Sequence, residues 1–223
     1  MDSVFVIDDN KSLIDNVKTV QEAAMKYRIA KRWGKPVDKK EWHMTPQTVN
    51  AYYDPTTNSI NFPAAILQPP FFDPTVDDAA NYGAIGAVIG HEMSHGFDDQ
   101  GCQFDKDGNM KNWWTEEDKK NYDARTKVLV DWFNKQEVIP GLNVNGEKTL
   151  GENIGDNGGL NIAFRALENS MKAKPLGDMD GFTPAQRFFL AWGRVWASNV
   201  APQFVAYIVN SDVHSPSISR VNA

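Results

Sequence analysis

The sequence predicts a mainly α-helical fold with a small β-sheet, which is the α+β class. Several long segments place apolar residues at helical spacing, whereas only two short β-prone runs occur, on either side of a turn. The chain has 223 residues, of which 41% are hydrophobic and 23% charged. This composition is typical of a globular protein with a sizeable core, and the length favours one large domain spanning residues 1–223.

The predicted helices are recognised by their start and stop signals. Residues 11–33 carry a helical apolar pattern that begins at Ser12 and Asp15, which resemble a capping pair, and ends at Gly34. The same reasoning predicts further helices over 77–98, 115–135 and 150–168, and another that begins at Thr183-Pro184.

The predicted sheet is a hairpin. The β-prone runs 48–53 and 59–62 flank the Pro- and Asn-containing segment 54–58, which has turn chemistry. The first run is expected to contribute a strand over 49–53.

Charge, cysteine content and hydropathy exclude several functional classes. The formal net charge is −6 and the pI about 5.2, without a basic stripe, which argues against nucleic acid as a partner. Cys102 is the single cysteine, so no intrachain disulfide can form. The longest apolar stretch, 83–90, is too short to span a bilayer, and the first ten residues do not resemble a secretory signal. These features fit a protein of the bacterial cytoplasm and leave a periplasmic or secreted location open.

His91, Glu92 and His95 form an HExxH motif within the predicted helix 77–98. Residues four apart share a helical face, so both imidazoles can bind one Zn²⁺ while Glu92 accepts a proton from the attacking water. A chain with four histidines rarely produces this pattern by chance. The alternative is a helix whose histidines merely pack or face solvent.

Two histidines leave a catalytic zinc ion one protein ligand short. The best candidates for the third ligand are Glu152 and Asp156, which are four residues apart in the segment GENIGDNGG. One carboxylate could bind zinc while the other orients a histidine. Spacing alone leaves open that these are N-terminal helix carboxylates favoured by the helix dipole.

The motifs HEMSHGFDDQG and GENIGDNGGL, with TPQTVNAYYDP, INFPAAILQPPFFD and DVHSPSISRVN, together resemble the neprilysin family of zinc endopeptidases. The resemblance runs from about residue 33 to the C-terminus and implies a thermolysin-like zincin catalytic domain that binds one Zn²⁺. It implies the following roles: zinc ligands His91, His95 and Glu152; general base Glu92; histidine partners Asp98 and Asp156; oxyanion stabilisers His214 and Arg220; substrate-backbone ligands Asn50 and Ala51.

The resemblance also implies an apolar pocket for the residue that follows the cleaved bond, formed by Ile66, Phe71, Val88, Val195 and Trp196. Such a pocket would favour cleavage of oligopeptides before bulky hydrophobic residues. For Phe188, Phe189 and Trp192 we expect plain core packing instead.

Family members also carry a long N-terminal helical region that covers the active site and continue beyond the end of this chain, so the partners implied are peptide substrates and that N-terminal region. The alternative is a zinc-stabilised fragment without turnover. A third interpretation is a calcium loop at 105–116, but Met110 stands where such a loop requires glycine, and a turn fits better.

Overall fold

The computed structural model describes residues 7–223, and 53% of the structure is helical and 7% is strand. The mainly α prediction with a small sheet component is therefore confirmed. The helices are α1 (Leu13–Arg32), α2 (Asp78–Asn81), α3 (Ala87–Ser94), α4 (Glu116–Phe133), α5 (Leu150–Ala173), α6 (Pro184–Val195), α7 (Pro202–Ser211) and α8 (Ser217–Val221). The strands are β1 (Tyr52–Asp54), β2 (Ser59–Asn61), β3 (Glu137–Ile139) and β4 (Leu142–Asn143).

The chain divides into two compact units, residues 1–42 and residues 43–223. In the first unit, Ser12 caps α1 by accepting a hydrogen bond from the Asp15 backbone N–H, as its sequence predicts. None of the α1 side chains is buried. In the second unit, Thr115 and Thr183 each complete a capping box at the starts of α4 and α6, which fixes these two helices where the sequence signals place them.

The predicted helix 77–98 is continuous but not uniform. Asp77 caps α2, a π-helical segment Tyr82–Gly86 follows, and α3 then leads into a 3₁₀ turn at His95–Phe97. The predicted hairpin is present as β1 paired antiparallel with β2, but its first strand starts at Tyr52 rather than Val49. Residues 49–51 therefore lack ladder partners within the described chain, because β2 ends at Asn61 opposite Tyr52. A second small sheet, β3 with β4, was not predicted.

Helices α3 and α5 lie close enough for their backbones to touch. A Cβ atom on Gly90 would lie 2.8 Å from the Gly159 Cα and carbonyl oxygen, so only glycine fits at these positions. This approach explains why α5 tolerates glycines that weaken an isolated helix. Helix α5 continues beyond the predicted end at residue 168 to Ala173, and in this last part Met171 packs against the core cluster that contains Ala163 and Leu167.

Two apolar clusters support the helix pair. The first apolar cluster lies among α2, α3, α5 and α6, and its buried members are Ala79, Ala87, Ala163, Leu167, Phe188 and Trp192. The second lies between α3 and the hairpin region, and its buried members are Ala51, Ile66, Ile85 and Val88. The core prediction holds for Phe188 and Trp192, but Phe189 is half exposed and stacks on Phe164. Within residues 7–223, no helix combines the length and the apolar character that a bilayer crossing needs.

Candidate metal centre

His91, His95 and Glu152 converge where α3 faces α5. One ligand atom from each residue lies within 4.8 Å of the other two. The Glu152 Oε2 atom is 3.2 Å from His91 Nε2 and 3.7 Å from His95 Nε2. The two imidazole rings are nearly perpendicular, with centroids 4.5 Å apart. Helix α3 and the 3₁₀ turn that follows it therefore supply one nitrogen each, and α5 supplies one oxygen, to a single point.

The donor set fits a divalent metal better than it fits a hydrogen-bonded cluster. Glu152 Oε2 lies close to the histidine nitrogens. It is buried, however, and makes no hydrogen bond of acceptable geometry with any residue in 7–223. An ion equidistant from the three atoms would use that lone pair, and two imidazole nitrogens with one carboxylate oxygen are ligands that zinc accepts in a catalytic site. The residues present thus fit Zn²⁺.

Each histidine is held by a carboxylate through its other nitrogen. His91 Nδ1 lies 2.9 Å from Asp156 Oδ1, and His95 Nδ1 lies 2.7 Å from Asp98 Oδ2. A carboxylate on Nδ1 places the ring proton there, so that the Nε2 lone pair points to the metal position. In the neutral form, both rings would therefore have the tautomer that metal binding requires.

The local fold fixes these two carboxylates firmly. Asp98 Oδ1 accepts hydrogen bonds from the backbone N–H groups of Gln100 and Gly101, at 2.8 and 2.6 Å. Asp156 is 2% exposed and accepts two hydrogen bonds of 2.7 Å from the Arg220 guanidinium. Burial raises the pKa of Asp156, but Arg220 and His91 outweigh it and keep the pKa below its usual range.

The charges around the metal position respond to one another. Burial lowers the pKa of His91, but the nearby Asp156 and Glu152 carboxylates raise it to about 9 overall. In the same way, burial raises the pKa of Glu152, while His214 and His91 lower it to a net value below the usual range. Because of this raised pKa, the metal-free His91 ring carries an extra proton at neutral pH. A metal ion bound to the ring would displace that proton.

Glu92 lies beside the ligands and is 5% exposed. Its Oε2 atom makes no hydrogen bond to any residue in the described part of the chain. Burial is the main reason that the pKa of this carboxyl is raised. A buried carboxylate with one free oxygen is suited to accept a proton from a molecule held in the site.

His214 and Arg220 reach the site from the C-terminal segment. His214 Nε2 lies 3.1 Å from Glu152 Oε2, and its Nδ1 lies 2.7 Å from Asp212 Oδ1. The Glu152 contact is the main cause that raises the pKa of His214. The Arg220 guanidinium stacks 3.7 Å from the centre of the Trp196 ring. The sequence analysis did not predict the contact of Asp212 with His214 or that of Trp196 with Arg220. For Asp212, the Asp-Val-His spacing is the local signal that could have indicated it.

A cavity of about 710 Å³ opens onto the metal position. It brings together most of the residues predicted from the sequence; those among its lining residues are Asn50, Ala51, Ile66, Phe71, Val88, His91, Glu92, His95, Asp98, Glu152, Asp156, Trp196, His214 and Arg220. Val195 is the exception, since it packs against the first apolar cluster rather than lining the cavity in the described residues. Trp192, expected only in the core, also reaches the cavity wall.

The alternative calcium loop at 105–116 forms a tight turn. Asp105 Oδ1 accepts hydrogen bonds from the Asp107 and Asn109 backbone N–H groups, and Gly108 has a φ of +82°. Its carboxylate is thus used by the turn itself, in agreement with the turn interpretation.

Comparison with known proteins identifies sequences that are similar to this chain. The sequence model of Peptidase family M13 matches residues 50–223. Human neprilysin is 40% identical over 217 residues, which cover 95% of this chain and 28% of that protein. Endothelin-converting enzyme 1 of Rattus norvegicus is 45% identical over 190 residues, covering 84% of this chain and 25% of that protein.

A solved structure is also similar. The zinc metalloprotease Zmp1 of Mycobacterium tuberculosis, crystallised with an inhibitor, superposes with a TM-score of 0.90 at 47% identity, over 99% of this chain and 34% of that one. The chain thus spans about a quarter of the length of the curated relatives it matches. Because the family model matches most of its length, the chain belongs to Peptidase family M13.

Proposed function

We propose that this chain is the catalytic portion of a zinc-dependent endopeptidase that hydrolyses oligopeptides on the N-terminal side of hydrophobic residues. The observation that carries the proposal is the convergence of His91, His95 and Glu152 beside the buried Glu92, whose Oε2 atom makes no hydrogen bond to any residue in 7–223. When bound, zinc would polarise the scissile carbonyl and lower the pKa of the attacking water.

The protein's own groups supply the proton transfers. Glu92 takes a proton from the attacking water and later gives it to the leaving amine. Its burial and raised pKa support this double role, because the carboxyl can hold the proton between the two steps. Asp98 and Asp156 keep the two histidine ligands in the correct tautomer throughout.

His214 and Arg220 act on the negative charge that develops on the carbonyl oxygen. Both line the cavity, and the Asp156 contacts use Nε and Nη2 of Arg220, which leaves Nη1 for substrate. Donors fixed before the reaction stabilise the oxyanion more than the ground-state carbonyl. The carboxylate and ring that hold Arg220 therefore fix its direction in advance.

Substrate alignment is assigned to Asn50 and Ala51 and to the apolar wall. The Ala51 N–H is engaged by the Asn50 side-chain oxygen at 2.9 Å, so Asn50 has to turn away before a peptide backbone can pair there. Ile66, Phe71, Val88 and Trp196 support the preference for a hydrophobic residue after the cleaved bond, because they form an apolar part of the cavity wall. Val195 packs against the first apolar cluster beside Trp196, and we propose that it supports that ring.

The test compares Glu92→Gln with the unchanged chain on a peptide library, with and without a chelator. Loss of the proton acceptor should lower turnover by about 10²–10⁴-fold, while zinc content stays the same. Glu168→Gln, an exposed position on α5, is the matched control. Zinc-independent cleavage, or full turnover by Glu92→Gln, would contradict the mechanism.

The same experiment decides the alternative function. If the unchanged chain binds zinc but shows no chelator-sensitive cleavage, it is a zinc-stabilised module without turnover. That this chain spans only a quarter of its curated relatives favours keeping this alternative. A covering N-terminal region as partner and a location in the bacterial cytoplasm also stay predictions.

A further inference from the structure

A buried series of side-chain hydrogen bonds joins the segment before α8 to the N-terminal end of α5. The Ser215 hydroxyl donates to Asn153 Oδ1 at 2.8 Å, and Asn153 Nδ2 donates to the Thr149 hydroxyl at 2.9 Å. Asn153 is 1% exposed, and Ser215 and Thr149 are each 3% exposed. These three residues, called the Asn153 clamp below, have no role in the proposed mechanism.

The position of the clamp suggests its purpose. Asn153 follows Glu152 directly, and Ser215 follows His214 directly, so the clamp runs beside the 3.1 Å contact between His214 and Glu152. The segment 212–216 connects α7 to α8 without secondary structure of its own. Asp212 bonds to the His214 backbone and ring, but these contacts are internal to the segment and do not tie it to α5.

We propose that Asn153 is a positioning residue that, through Ser215, holds His214 over the metal position. The proposal deepens the proposed function and rests on the role of His214 given there. A five-residue connection has many conformations, and a buried hydrogen bond selects one of them, because leaving its donor or acceptor unpaired is unfavourable. Downstream, Arg220 is anchored separately by Asp156, so the clamp acts on the His214 segment in particular.

The chemistry of asparagine explains why this residue type serves here. Its amide accepts from Ser215 and donates to Thr149 at the same time, which a carboxylate cannot do. A carboxylate would also place a second negative charge next to Glu152. Leucine has a similar size but can neither accept nor donate, so Asn153→Leu removes the clamp without enlarging the side chain.

The experiment compares Ser215→Ala and Asn153→Leu with Ser219→Ala. Ser219 is also 3% exposed, but its hydroxyl makes no side-chain hydrogen bond among the described residues, so it is a matched loss of a buried hydroxyl. Three properties are measured on the full chain: zinc affinity, hydrogen exchange of residues 212–216, and ¹⁵N-histidine spectra. The chain has four histidines, so the His214 signal can be assigned by substitution.

Ser215→Ala should speed exchange in 212–216 by about fivefold, the factor that corresponds to losing a hydrogen bond of typical net strength, and should shift the His214 signal. Zinc affinity should stay within about twofold, since the ligands lie on α3 and α5, and kcat should fall about tenfold or more with a smaller change in KM. Asn153→Leu should match it, the double variant should lose no more than either single one, and Ser219→Ala should resemble the unchanged chain.

Unchanged exchange and an unchanged His214 signal in Ser215→Ala would overturn the proposal, as would a mobile segment with undiminished kcat. If Asn153→Leu unfolds, Ser215→Ala still decides. If the unchanged chain has no zinc-dependent turnover while exchange and spectra respond as expected, the proposed function fails and the clamp itself stands.

Discussion

Gly155 is the position where a single methyl group tests the geometry of the metal centre. A Cβ atom there would lie 2.7 Å from His91 Cε1 and 2.8 Å from His91 Nδ1, whereas ordinary contact begins at 3.4 Å. The ring would have to retreat by about 0.7 Å, which exceeds the tolerance of about ±0.2 Å for a zinc–ligand distance. Such a movement would also disturb the 2.9 Å contact between His91 Nδ1 and Asp156 Oδ1.

Gly155→Ala is therefore expected to weaken zinc binding by about 10–100-fold, the range found when the support of a ligand is disturbed. Overpacking should also lower the free energy of unfolding by about 1–3 kcal/mol. Helix propensity by itself predicts the opposite sign, a gain of about 1 kcal/mol for alanine over glycine inside a helix. The two effects can thus be separated by the direction of the change.

The assay is competition for zinc against a chelating dye, together with thermal unfolding of the metal-free and zinc-loaded chain. Gly193→Ala is the matched control, because Gly193 lies inside α6 and its nearest neighbour to an added Cβ is Val221 at 3.7 Å. That control should be stabilised and bind zinc normally. Zinc affinity in Gly155→Ala equal to that of the unchanged chain, with raised stability, would refute the reasoning.

Three further predictions concern the groups around the metal. Between pH 7 and 8, zinc binding should release about one proton, because the pKa of His91 is about 9 before zinc binds and the ring must bind zinc in its neutral form. Calorimetry in buffers of different ionisation enthalpy measures this proton release. Heats of binding that do not depend on the buffer would contradict the prediction. Asp98→Asn should lower zinc affinity about 10–100-fold, because the asparagine amide would donate toward His95 Nδ1 and favour the tautomer with a proton on Nε2. Asp99→Asn is the control. Normal zinc affinity of Asp98→Asn in zinc titrations would count against the argument. Trp196→Leu should lower the free energy of unfolding by about 2 kcal/mol through loss of the cation–π contact with Arg220. Chemical denaturation measures this free energy. If Trp196→Leu destabilises a chain that already carries Arg220→Met by the same amount, the cation–π contact is excluded as the cause.

The metal-free chain should also show the pH dependence that follows from the raised pKa of His91. Its folded-state pKa of about 9 lies above the ordinary value of 6.5, so this stabilisation is complete below about pH 6.5 and is lost as the pH rises through 9. Zinc should remove that dependence, because the bound ring is already neutral. Denaturation curves of the two forms from pH 6 to 9.5 check this expectation, and parallel pH profiles would argue against it.

Much of the fold and the site could be predicted because the signals are local. HExxH needs only the i, i+4 geometry of one helix, and capping residues such as Thr115 and Thr183 mark helix starts within a few residues. Glu152 and Asp156 could be proposed as a pair but not assigned from spacing, since either carboxylate at that spacing could have faced the metal. Helices α7 and α8 and the sheet β3–β4 were missed, although Pro202 at the start of α7 is a usable signal.

The sequence by itself determined which residue types could bind a metal ion and on which helical face two of them lie. Only the tertiary structure decided that α5 approaches α3 closely enough, at Gly90 and Gly159, for Glu152 to meet the two histidines. It also decided that Arg220 holds Asp156, that Asn153 holds Ser215, and that Val195 packs against the first apolar cluster. Periodicity records the direction of a side chain within its own helix, whereas contacts between residues more than 60 positions apart depend on how whole helices pack.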